Sequence, residues 1–194
     1  MALLVEHTND EIKTSLKISG SKSESNRLLI LKYLFKNIQI KNLSDSDDTN
    51  ILKKILKERP EKINVHHAGT AMRFLTAFFS IQEDKYHEIS GSERMQNRPI
   101  KLLVDALNYL GADIRYLNKV GFPPVKIIGK KINKLSVSLE SNISSQYLSA
   151  LLLIAPSLEN GLHVNLKGKI ISKPYIKMTL ALLEKIGVKT FFNN

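Results

Sequence analysis

Two stretches of this chain repeat one another 75 positions apart, and that spacing narrows the folds open to it. Gly69-Thr70-Ala71-Met72-Arg73-Phe74-Leu75-Thr76-Ala77 and Ser144-Ser145-Gln146-Tyr147-Leu148-Ser149-Ala150-Leu151-Leu152 each pass from a polar start into an apolar helix pattern. Arg98-Pro99-Ile100-Lys101 and Lys173-Pro174-Tyr175-Ile176 stand at the same offset, each with a proline at a helix entry. The helices that follow stop at Gly111-Ala112 and Gly187-Val188, glycine C-caps that keep starts and stops in step. Strand patterns at Ile63-Asn64-Val65-His66, His87-Glu88-Ile89-Ser90 and Asp113-Ile114-Arg115-Tyr116 complete the plan. The unit is strand-helix-strand-helix-strand-strand, repeated.

A shorter version precedes both copies. Ser15-Leu16-Lys17-Ile18 alternates like a strand, Gln39-Ile40-Lys41-Asn42-Leu43 reads as another, and Ser44-Asp45-Ser46-Asp47-Asp48 is an acidic cap for a helix over Thr49 to Lys57. That acidic run lacks the glycine and distal glutamate of a calcium loop. Between the strands lies Gly20-Ser21-Lys22-Ser23-Glu24-Ser25-Asn26-Arg27, then Leu28, Leu31, Leu34 and Phe35 at helical spacing. Alone, the octet is most simply a serine-capped helix start. Its hydroxyls at Ser21, Ser23 and Ser25, with Lys22 and Arg27, also suit an anion held at a helix N-terminus. Three such starts, at Ser23, Gly69 and Ser144, would converge if the units packed about a pseudo-threefold. With Lys22, Arg27 and Arg98 they would form one pocket for a strongly anionic ligand.

Composition removes several function classes. The 194 residues are 43% apolar, enough for a substantial core, and contain no cysteine, which excludes disulfides and thiolate chemistry. The start lacks a basic n-region and a long apolar segment, and the run Leu151 to Ala155 is far too short to span a bilayer, so a cytoplasmic protein without a membrane partner is expected. A formal charge of +11 is spread over scattered lysines such as Lys53-Lys54 and Lys130-Lys131, a solvated background that does not call for nucleic acid. His66 and His67 have no third ligand at metal spacing, and no cofactor is implied.

The ordered segments Gly20 to Arg27, Ala68 to Arg73, Arg94-Met95-x-x-Arg98-Pro99-Ile100, Ser144 to Leu151 and Ser172 to Ile176 resemble the N-terminal half of 5-enolpyruvylshikimate-3-phosphate synthases. The resemblance covers nearly all of residues 11 to 190. It implies an α/β fold of βαβαββ units around a pseudo-threefold, an inside-out α/β barrel with helices within and sheets outside, as one domain of a two-domain family. It also implies transfer of an enolpyruvyl group from phosphoenolpyruvate to the 5-hydroxyl of shikimate 3-phosphate, in aromatic amino-acid biosynthesis. Carried over onto these positions, Lys22 is the catalytic residue at the junction of both substrates. Ser23 and Arg27 hold shikimate 3-phosphate, Gly69 and Thr70 leave room for phosphoenolpyruvate, and Arg98 clamps it. Ser144, Ser145 and Ser172 take the 3-phosphate, Gln146 reaches between the ligands, and Tyr175 lines the shikimate ring. Arg94 is expected to brace its loop.

Departures and alternatives follow from the same resemblance. His67 stands where the family usually has asparagine, Phe74 where it has proline, and Lys177 where it has aspartate. The first two lie beside the phosphoenolpyruvate pocket and bear on the inhibitor glyphosate. Family members exceed 400 residues and keep acid and base groups in their second half. Residues 1–14 are therefore expected to pack with an absent domain, and residues 15–194 to be a substrate-binding domain of three units, incomplete at its C-terminal end and inactive alone. A nucleotide-sugar enolpyruvyl transferase is the nearest alternative, but it usually carries a lid cysteine. A nucleic-acid-binding or RNA-end-processing relative would need stacking aromatics on basic stripes, whereas the aromatics here fall within apolar helix patterns.

Overall fold

The computed structural model describes residues 3–4, 6, 11, 13–35, 37–140, 144–168, 170 and 172–193. Among the described residues seven α-helices and six strands appear in the order α1 (Lys22–Leu34), α2 (Asp47–Glu58), β1 (Lys62–Asn64), α3 (Gly69–Ser80), β2 (Tyr86–Ser90), α4 (Glu93–Gln96), α5 (Lys101–Leu110), β3 (Asp113–Tyr116), β4 (Val125–Ile128), β5 (Ser136–Glu140), α6 (Ser145–Ile154), β6 (His163–Lys167) and α7 (Lys173–Lys185). Among the described residues no helix is long and apolar enough to cross a membrane.

The strands form two sheets, one ordered β1-β2-β4-β3 and one pairing β5 with β6. β1 runs parallel to β2, with Ile63 opposite Ile89, and β5 runs parallel to β6, with Val137 opposite Val164. In each case the connection is a buried helix, as parallel strands require. β4 adds antiparallel to both β2 and β3. A β-α-β-α order thus occurs twice, from Lys62 and from Ser136.

Helices pack on helices at the centre. In α3 every residue from Ala71 to Ser80 is buried, as is Gly69: Phe74, Leu75, Ala77, Phe78 and Phe79 cover most of its circumference, and Arg73, Thr76 and Ser80 on the remaining side donate to backbone carbonyls. α1, α2, α5 and α6 all lie against it. The strands alternate, with Ile89 and His87 of β2, Val125 and Ile127 of β4 and Val137 and Leu139 of β5 turned inward.

The first, shorter unit differs from its prediction. Ser15 to Ile18 forms no strand, and Leu16 and Ile18 are 79% and 78% exposed; no strand pairs with them among the described residues, and alternation without a ladder does not make a strand. Gln39 to Leu43 is not a strand either, because Asn42 takes a left-handed φ of 53° and breaks the extended backbone. Only the two helices of that unit are present, with α1 beginning at Lys22. The reading of residues 1–14 falls mostly outside the described residues.

One buried titratable group sits in this framework. His87 is 4% exposed, its ring lies 3.8 Å from that of Phe79, and its Nδ1–H donates to the Pro60 carbonyl at 2.8 Å. Burial pushes its pKa below the ordinary 6.5, outweighing that hydrogen bond. The unfolded chain therefore takes up a proton at a pH where the folded chain does not. Stability is complete above pH 6.5 and falls as the pH drops below it, with a slope of up to about 1.4 kcal/mol per unit, measurable by urea unfolding at pH 7, 6 and 5. Phe78→Ala empties a site that is 0% exposed and should lower unfolding free energy by about 3–5 kcal/mol in the same assay at pH 7.

Candidate functional site

The start of α1 is fixed by a glycine. A Cβ on Gly20 would fall 1.8 Å from the Asn42 carbonyl oxygen, so only glycine lets the chain pass there. Ser21 then caps the helix, its Oγ accepting from the Glu24 N–H at 3.4 Å. Lys22 is exposed, with Nζ 3.9 Å from Oδ1 of Asp48 in the first turn of α2. The neighbouring Asp47 reaches Nε2 of His67 at 3.8 Å. The acidic first turn of α2 therefore faces Lys22 of α1 and His67 just ahead of α3. Of the three hydroxyls predicted for the anion site, Ser25 is turned inward, where its Oγ accepts from the Ser44 N–H at 2.9 Å and holds the α1–α2 loop. Ser23 contributes its carbonyl to Arg27.

Arg27 is only 3% exposed. Its Nε–H donates to Thr179 Oγ1 at 2.7 Å, Nη1–H to the Ser23 carbonyl at 2.8 Å and Nη2–H to Ser149 Oγ at 2.8 Å. The rings of Phe74 and Tyr175 flank it, with centroids 5.5 and 5.9 Å from Cζ. Burial pushes its pKa down to about 10, with the Tyr175 phenol opposing, so it stays charged at neutral pH. No carboxylate pairs with it among the described residues.

The β1–α3 turn brings Gly69 to the helix start with Arg98 lying across it. A Cβ on Gly69 would fall 2.3 Å from Arg98 Nη1, so the bare glycine makes room for the guanidinium. Arg73, one turn into α3, donates from Nη1 to the Gly69 carbonyl at 2.9 Å and from Nη2 to the Pro99 carbonyl at 3.1 Å. Tyr147 donates its hydroxyl to the same Pro99 carbonyl at 2.6 Å, which pins the backbone beside Arg98. Burial lowers the pKa of Arg73, with Tyr147 opposing and Arg98 adding to the effect. Arg98, His67, Met95 and Arg94 line a cavity of about 220 Å³. Arg94, expected to brace its loop, is exposed and lines that cavity.

The remaining predicted residues join this arc. Gln146 donates its Nε2–H to Thr70 Oγ1 at 3.3 Å, tying the start of α6 to that of α3. Ser144 caps α6, accepting from the Gln146 N–H at 3.3 Å. Ser144, Ser145 and Ser172, predicted to share one phosphate, do line one crevice, together with Glu140, but its volume of about 10 Å³ holds no more than a water molecule. Tyr175 is 46% exposed on the first turn of α7, with its ring near Arg27. The largest cavity among those described, about 560 Å³ between α5 and β5, contains none of the predicted residues and carries Asp105 and Glu140 beside its single lysine.

Sequence reasoning missed Ser149, in a helix read as apolar, Thr179, in the helix that follows Lys173-Pro174, and the bracing role of Arg73. The only signal was a polar side chain on a buried face, as at Ser149 within Leu148 to Ile154.

A model of the EPSP synthase (3-phosphoshikimate 1-carboxyvinyltransferase) family matches residues 54–191. A 3-phosphoshikimate 1-carboxyvinyltransferase of Bacteroides fragilis is 49% identical over 178 residues, covering 91% of this chain and 43% of its own. One from Vibrio campbellii is 37% identical over 212 residues, covering 95% of this chain and 50% of its own. The solved EPSP synthase of Acinetobacter baumannii superposes with a TM-score of 0.76 at 18% identity, over 92% of this chain and 45% of that one, which is evidence for the fold. The chain spans about half the length of the curated relatives it matches. By the reach of that family match and by these identities, the chain belongs to the EPSP synthase family.

Proposed function

We propose that this chain supplies the shikimate 3-phosphate side of an enolpyruvyl transfer, in which the 5-hydroxyl of shikimate 3-phosphate takes the enolpyruvyl group of phosphoenolpyruvate and inorganic phosphate leaves. The reaction would serve aromatic amino-acid biosynthesis in the cytoplasm. The observation that carries the reading is the sequence of contacts from Lys22 through Asp48, Asp47 and His67 to Arg98 and Gly69, with Thr70 and Gln146 continuing to the α6 start. Both substrates are polyanions, and this arc sets helix N-termini beside lysine and arginine. The nucleotide-sugar and nucleic-acid alternatives have no support from the family match.

In this reading Lys22 lies where both ligands meet and exchanges Asp48 for their negative charge, a loose contact at 3.9 Å that costs little to break. Arg98 and Arg94 take the phosphate or carboxylate of phosphoenolpyruvate in the 220 Å³ cavity, where guanidinium forks suit either group. Ser23, Arg27 and Tyr175 hold the shikimate ring and its carboxylate. Ser144, Ser145 and Ser172 take the 3-phosphate once α6 and α7 part enough to open their crevice. The transfer must also add a proton to the methylene carbon of phosphoenolpyruvate and remove one from the 5-hydroxyl. In this reading residues 15–194 act as a substrate-binding domain, and the acid and base are supplied by another part of the protein.

Titration calorimetry of the chain with shikimate 3-phosphate should show weak saturable binding, and Lys22→Ala should weaken it roughly tenfold or more, the effect of losing a hydrogen bond to a charged group. Phosphate release from the mixed substrates should stay at background; product formation by this chain alone would refute the division of labour. Gly69→Ala should displace Arg98 and lower phosphoenolpyruvate affinity while leaving that for shikimate 3-phosphate within about twofold, read in parallel titrations.

A further inference from the structure

We propose that Ser149 on α6 and Thr179 on α7 are positioning residues for Arg27, two buried hydroxyls that aim its guanidinium at the bound anion. The inference rests on the reading that Arg27 holds shikimate 3-phosphate. Both hydroxyls belong to residues that are 0% exposed. They also lie 3.1 Å from one another.

The direction of every hydrogen in this network follows from counting. Thr179 Oγ1 donates its one proton to the Tyr175 carbonyl at 2.9 Å, the bond a threonine in a helix makes to the residue four back. Its lone pairs are then left to accept, and Arg27 Nε–H fills one at 2.7 Å. Ser149, accepting from Arg27 Nη2–H at 2.8 Å, has its own proton free for the other lone pair of Thr179. With that bond made, Thr179 is saturated, as acceptor twice and donor once. No alternative set of proton positions satisfies the same contacts, so the network has one state and the guanidinium one orientation.

What the network omits matters equally. A guanidinium has five N–H groups, and Thr179, Ser149 and the Ser23 carbonyl accept from three. Two remain, one on each Nη, the number that a bidentate bond to a carboxylate or phosphate uses. An aspartate at 149 or 179 would hold the arginine more tightly but would spend its charge. Neutral hydroxyls orient the group and leave the charge for a ligand, whose cost of burial the protein has already met. Tyr175, the donor's carbonyl partner, is itself a predicted ring contact, so the same network sets the first turn of α7.

The test uses the 194-residue chain with Thr179→Val, which keeps shape and loses the hydroxyl, Thr179→Ser, which restores it, and Ser149→Ala as a second removal. Two readouts separate positioning from general structure, with the amide NMR fingerprint identifying folded variants. The first needs no ligand: the Arg27 Nε–H signal should be protected from exchange in the wild type and in Thr179→Ser, and exchange fast in Thr179→Val. The second is affinity for shikimate 3-phosphate, expected to drop about tenfold in Thr179→Val and Ser149→Ala and to recover within about twofold in Thr179→Ser. In an Arg27→Lys background Thr179→Val should add nothing further. A folded Thr179→Val that binds like the wild type overturns the inference and leaves the functional reading intact. Absence of binding by the wild type overturns the functional reading, and unchanged Nε–H exchange in Thr179→Val then overturns the clamp as well.

Discussion

The structure depends on the burial of α3. A helix whose residues from Ala71 to Ser80 are all inaccessible cannot lie on a sheet with one face in water, so other helices must surround it and the sheets are driven outward. That arrangement brings helix starts together. Contacts at or near those starts run from α1 to α2 through Lys22 and Asp48, to the α3 turn through Asp47 and His67, to α6 through Thr70 and Gln146, to α7 through the shared serine crevice, and back to α1 through Tyr175 and Arg27. The ring is closed. Each helix start brings unpaired N–H groups to it, and the apolar core is what holds them near one another.

Two arginines show how the core reaches into the site. Arg27 and Arg73 are both nearly buried and both find carbonyl or hydroxyl acceptors in place of carboxylates. Arg73 works through backbone, fixing the Gly69 and Pro99 carbonyls between which Arg98 is presented. Arg27 works through side chains from three helices. Leaving a buried cation without a counterion is costly in an isolated domain, and it is the expected compromise where an anion is to be bound.

Much of this was legible in the residues. The 75-residue offset located α3, α6, the α5 and α7 entries and their glycine stops, because apolar periodicity and capping are local properties. The family resemblance placed Lys22, Gly69, Arg98 and the serines, and the structure sets Gly69 under Arg98 and Ser144, Ser145 and Ser172 around one crevice. Failures came where a partner decides the outcome. Ser15 to Ile18 alternates and Gln39 to Leu43 reads as a strand, yet one has no ladder and the other is broken at Asn42. Ser25 shares its chemistry with Ser21 and Ser23 and differs only in direction, which depends on where Ser44 lies. Asp47 and Asp48 stand in the first turn of α2 as read, while their neighbours Lys22 and His67, remote in sequence, were not foreseen.

The bond from Arg27 to Thr179 joins residues 152 positions apart. A ribosome making this chain completes α1 long before the hydroxyl that orients its arginine exists. When α1 is complete, of the three acceptors that hold Arg27, only the Ser23 carbonyl of its own helix has been made. The orientation of Arg27 is completed only when α7 docks, a contact of long sequence separation, so completion of this network reports completion of the fold.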